Sequence, residues 1–146
     1  MIANKAGSTK ATGLEEMTIS MLLGEEGHQA EYLDKMITYL AQVEKPDIVH
    51  LSNALLLGLA HRLKRDLDVK VVCSLQDENE WTDHMNDQYQ RKIWDLMGEK
   101  AHEVDMFITA SNYYKDKSMK QMNMILLIIG EVLMTITIWV KLIPIR

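Results

Sequence analysis

Val69-Lys70-Val71-Val72-Cys73-Ser74-Leu75 runs straight into Gln76-Asp77-Glu78-Asn79-Glu80. The first seven residues are rich in β-branched side chains, which suit a pleated, half-buried surface; the next five are polar. The pattern predicts a strand over 69–75 whose carboxyl end opens onto an acidic, amide-bearing turn. Cys73 sits inside the apolar run, so it reads as a small core residue and not as a nucleophile.

Upstream, Ile48, Val49 and Leu51 predict a second buried strand over 47–51. Ser52 and Asn53 follow as caps for a helix over 54–65, whose apolar face is Leu56, Leu59, Ala60 and Leu63. Residues 66–68 make the turn into the central strand. Downstream, Trp81, Met85, Tyr89, Ile93, Trp94 and Met97 mark a helical stretch, residues 105–110 a third strand, and Ser111 the start of a helix to about residue 121. Nearer the amino terminus, residues 14–23 predict a short helix closed by Gly24. Tyr32, Leu33, Met36, Ile37 and Leu40 then form a one-faced stripe on a helix over 26–43, which Pro46 stops. Residues 1–13, with Gly7, Ser8, Thr9, Thr12 and Gly13, read as a disordered lead-in.

Helices alternating with strands predict an α/β fold with a parallel sheet and right-handed crossovers. In open sheets of this kind ligands bind beyond the carboxyl ends of the strands. Those ends carry Ser52 and Asn53, then Gln76, Asp77 and Glu78, then Ser111, all able to hydrogen-bond a hydroxylated ligand. Gln76, Asp77 and Glu78 have two readings. They are acceptors facing a cleft, with Asp77 a candidate base, or they form a polar strand-to-helix turn with Asp77 or Asn79 as its cap.

The totals narrow the classes. A chain of 146 residues suffices for one domain of ordinary size. Its 47% hydrophobic and 25% charged residues exclude a disordered or collagen-like chain. Net charge of -5 supplies no basic footprint, so no nucleic-acid partner is expected. Cys73 alone excludes a disulfide framework and fits a reducing, cytoplasmic setting. Residues 1–10 are polar and predict no signal peptide. The glycines form neither a Gly-x-Gly-x-x-Gly turn nor a P-loop. Asp77, Glu80, Asp83 and His84 cluster, but no second histidine is spaced for ligation, so a solvated face is the better reading. No metal and no cofactor are expected.

Four stretches in order carry a resemblance: residues 18–27 (TISMLLGEEG), 45–53 (KPDIVHLSN), 71–78 (VVCSLQDE) and 104–114 (VDMFITASNYY). Together, across residues 14–114, they resemble the amino-terminal domain of glycosyltransferase family 4, the retaining, two-domain GT-B enzymes. The resemblance implies a partial Rossmann-like domain over 14–122, lining the acceptor side of an interdomain cleft. It also implies transfer of a sugar from a nucleotide-sugar donor to a sugar-containing acceptor, usually without a metal. The strand ending at Leu75 matches one that often ends in a His-Asp pair. Gln76 stands at the histidine position, so a histidine role is not carried over, while Asp77 stands at the aspartate and is expected to bind an acceptor hydroxyl. Ser52, Asn53, Glu78 and Ser111 join it as expected substrate-binding residues. No stretch before Leu14 matches the glycine-rich first unit of such domains, and none after residue 122 matches the second, donor-binding domain. The chain therefore reads as a fragment that does not catalyse transfer alone, because donor and acceptor must be held together.

Residues 123–146 form an apolar tail with three readings. The first is a membrane anchor over 124–145, long enough to span, although Glu131 and Lys141 each cost on the order of 3 kcal/mol if placed centrally. The second is a soluble strand pair, since residues 135–140 alternate at period two and Gly130 makes the break. The third is translation in a shifted frame. There the codons of Met134 with Thr135 force Asp, and those across 131–137 permit Gly-Val-Asp-Asp-Asn-Tyr, like the hinge of the enzymes resembled. The anchor reading carries the alternative function: a non-catalytic α/β interaction module held at a membrane by its tail.

Overall fold

The computed structural model describes residues 13–76 and 78–123. Residues 1–12 of the expected lead-in, Asp77, and residues 124–146 of the expected tail lie outside the described residues. The first helix, α1 (Glu15–Leu23), is followed by a 3-10 turn (Gly24–Glu26) and by α2 (Ala30–Tyr39), which ends in a π turn (Leu40–Glu44). Next come β1 (Ile48–Leu51), a 3-10 segment (Ala54–Leu59), α3 (Ala60–Leu67) and β2 (Lys70–Leu75). The remainder is α4 (Glu78–Thr82), α5 (Asp87–Lys100), a 3-10 turn (Ala101–Glu103), β3 (Met106–Thr109) and α6 (Asn112–Gln121).

The three strands form one parallel sheet in the order β1-β2-β3. Ile48 lies opposite Lys70, and Val72 opposite Met106. One face of the sheet carries Leu51, Val71, Cys73 and Leu75, all buried against Ile19, Leu22, Leu57, Ala60, Leu63, Ile93, Trp94 and Met97. Successive parallel neighbours joined by crossovers of one hand place their helices on one side. The opposite face follows from the pleat. It bears Ile48, His50, Lys70, Val72, Ser74, Met106 and Ile108, and Ile48 and Met106 are 61% and 57% exposed. The sheet is thus covered by helices on one face only, among the described residues.

Three expected helices come out divided, each for a packing reason. The helix predicted over 26–43 begins only at Ala30, after a turn at Gly27. A Cβ on Gly27 would lie 2.0 Å from the Ser20 carbonyl oxygen, and the buried Ser20 hydroxyl accepts the His28 N–H at 2.7 Å and contacts Gln29 Oε1 at 2.5 Å. The helix predicted over 54–65 is wound as 3-10 up to Leu59, where Gly58 presses on the Met21 and Leu22 carbonyls of α1. The stretch from Trp81 to Met97 splits into α4 and α5, because Asn86 caps α5 by accepting the Gln88 N–H at 2.9 Å.

Two polar fastenings complete the frame. Asp105, just before β3, accepts the Val71 N–H at 2.8 Å and returns its own N–H to the Val71 carbonyl at 2.9 Å. That backbone donor, helped by Lys64 at 3.2 Å, holds the Asp105 carboxyl below the usual range. Across the helical layer, Arg65 reaches Glu25 at 3.0 Å while Arg62 reaches Asp34 at 2.8 Å and Asp66 at 2.6 Å, joining α3 to the turn after α1 and to α2.

Candidate functional site

Parallel strands of four to six residues bring three polar loops to one rim of the sheet. Beyond β1, Asn53 has extended backbone and its Oδ1 accepts the Leu55 N–H at 3.1 Å, opening the 3-10 segment. Ser52 is exposed, and its carbonyl accepts a hydrogen bond from Gln76 Nε2 at 2.8 Å. The side chain at the end of β2 therefore bridges to the loop after β1. This leaves the Ser52 hydroxyl and the Gln76 amide oxygen without an intramolecular partner among the described residues.

Glu78 lies beneath this bridge and is 2% exposed. Its Oε1 accepts two backbone N–H groups, Ala54 at 2.9 Å and Gln76 at 3.1 Å. One carboxylate thus ties the loop after β1 to the loop after β2. Hydrogen bonds to a charged acceptor are roughly twice as strong as neutral ones, so the rim is fixed at its base. Glu78 is expected among the substrate-binding residues on the reading that it faces the cleft; the structure buries it under the loops, in a positioning role. Asp77, the expected acceptor-binding aspartate, lies outside the described residues.

Ser111 stands beyond β3, whose last residue, Thr109, pairs with Leu75 of β2. Its Oγ accepts the Tyr114 N–H at 3.2 Å and caps α6, while Thr109 Oγ1 donates to its carbonyl at 3.3 Å. The structure therefore brings Ser52, Gln76 and Glu78 into one hydrogen-bonded group, while Asn53 caps its own 3-10 segment. Ser111 is on the same rim but engaged with its own helix.

Cys73 is fully buried on β2, and burial, with the Glu78 charge nearby, pushes its thiol up to about 12. A thiol so raised is no nucleophile near neutral pH. Among the described residues no three His, Cys, Asp or Glu side chains come together to hold a metal ion. In the cluster after β2, Asp83 accepts from Gln90 Nε2 at 2.9 Å, and His84 Nδ1 lies 2.7 Å from the Glu80 carbonyl oxygen. A shallow, open depression runs along α2 past Asp34, Thr38 and Val43, away from the strand ends.

Two features escape sequence reasoning. One is the Glu78 anchor, because a carboxylate after a strand looks the same whether it faces water or the loop beneath. The other is a contact on the uncovered sheet face, where His50 Nε2 lies 2.8 Å from Ser74 Oγ. Period-two alternation in both strands places the two on that face and was the available signal. Among the described residues no helix is long and apolar enough to cross a membrane. No protein-family model matches the chain, and neither a curated protein nor a solved structure matches it.

Proposed function

We propose that the chain supplies the acceptor-binding, amino-terminal side of a GT-B glycosyltransferase of family 4, with a partial Rossmann-like fold. The observation that carries this reading is the anchored rim. Glu78 locks the two loops, and the Gln76 amide bridges to the Ser52 carbonyl, so that both residues lie exposed on one rim at the carboxyl ends of parallel strands. Hydroxyl and amide groups held in fixed positions match the alternating donors and acceptors of a sugar ring. Asp77, between Gln76 and Glu78, supplies the carboxylate for an acceptor hydroxyl, and Ser111 closes the rim beyond β3.

In this reading the chain orients the acceptor and performs no bond-making alone. The nucleotide-sugar donor belongs to a second domain bearing basic residues, and rate enhancement arises when both substrates are held in one geometry. Neither a metal nor a cofactor takes part in acceptor binding.

Saturation-transfer NMR on the full chain with a panel of hexoses and disaccharides tests the reading. Sugar signals are expected with wild type, and a loss of most of that signal with Asp77→Ala and with Gln76→Ala. Absence of signal from every sugar in the panel overturns the proposal, as does equal signal from wild type and both variants.

A further inference from the structure

Parallel sheets are stable when both faces are covered. Here the helices lie on one face, and the other exposes Ile48 at 61%, Met106 at 57% and Ile108 at 37%, with Val72 between them. We infer that this face is the docking surface for the chain's own apolar segment, residues 124–145.

Area decides against a second copy as the occupant. Three strands about 4.8 Å apart, each four to six residues long at about 3.3 Å per residue, make a face of a few hundred Å². Stable specific interfaces bury roughly 800 Å² on each partner. A face this small holds an occupant only if that occupant arrives already concentrated, and a covalent tether supplies an effective concentration in the millimolar range.

The tether leaves from the right place. α6 packs on α5, β2 and β3, and its end at Met122 is buried, so close to Gly98 that an added Cβ there would sit 2.1 Å from the Met122 oxygen. Asn123 follows with a left-handed φ of 52°, which turns the chain out of the helix. β3 is an edge strand among the described residues. Passing round it crosses a layer of about 10 Å, the reach of three or four extended residues. Most of 124–145 is then left to lie over the face, and Leu, Ile, Val and Met dominate it. This packing is independent of any transfer chemistry.

Photo-crosslinking of the full chain tests it. The probe is Ile108→benzoylphenylalanine, with Tyr32→benzoylphenylalanine on exposed α2 as the control position. Expected is a monomer-mass adduct whose peptide maps to 124–146, about tenfold more abundant from position 108 than from position 32. Adducts of dimer mass overturn the inference, as do adducts to lipid when vesicles of phosphatidylcholine and phosphatidylglycerol are present. Equal yield from the two positions overturns it as well. If the position-108 variant does not fold, Ile48→benzoylphenylalanine carries the same comparison at the opposite edge of the face.

Discussion

Glu78 bears more of the structure than a single surface-loop residue ordinarily would. Its carboxylate is the shared acceptor for Ala54 and Gln76, in a site almost closed to water. Glu78→Ala strands the buried Ala54 N–H and the part-buried Gln76 N–H and is expected to cost about 2–3 kcal/mol. Glu78→Gln keeps an acceptor oxygen but loses the charge, and about half that loss is expected; urea unfolding of both variants measures the difference. The sequence marks Glu78 as polar and adjacent to a strand, which leaves its direction undecided. Direction depends on whether the loop after β1 comes within reach, and that is a tertiary fact. Ser52, Asn53, Gln76 and Ser111 were legible because their position follows from strand ends alone.

At the scale of the element, the strands were the most legible part. Val69, Val71 and Val72 have side chains that favour a pleated backbone wherever they are placed, and β2 runs Lys70–Leu75, one residue short of the expected 69–75. Helix boundaries were less so, because Gly27, Gly58 and Asn86 act through neighbours distant in sequence or through a cap inside an apolar stripe. Gly58→Ala drives a methyl to 2.2 Å from the Met21 carbonyl, backbone against backbone, and is expected to destabilise by about 3 kcal/mol. Thermal denaturation followed by circular dichroism reads it. Lys45 offers the opposite case. It ends the turn after α2 with φ 46°, a conformation that penalises a Cβ. Lys45→Gly is expected to stabilise by about 0.5–1 kcal/mol in the same measurement.

For the whole molecule, acid is the discriminating condition. Val71 N–H and Lys64 depress the Asp105 carboxyl, Arg65 depresses Glu25, and Arg65 with Arg62 depresses Asp66. A group whose pKa is lower folded than unfolded contributes stability that is present above its unfolded value and is lost as pH falls through its folded value. Tm is therefore expected to hold between pH 7 and about 5 and to fall below about 4. Asp105→Asn should flatten that fall, as differential scanning calorimetry across the range would show. An unchanged slope in the variant would remove Asp105 from the account. The α/β class and the parallel sheet were legible from alternation, but the one-sided cover was not, because alternation fixes the order of elements and not the side on which each one lands.

The strand order has a bearing on how the molecule comes into being. Ile48 pairs with Lys70 and Val72 with Met106, so every strand meets the one made just before it, and none waits for a partner synthesised much later. Loop closure in each unit is short and its entropic toll small. On a ribosome, β1 with β2 can zip while β3 is still in the exit tunnel, and each new helix lands on a sheet already laid. Strand pairing can then keep pace with translation, whereas α1 must wait for α5, on which it packs, before its own face is covered.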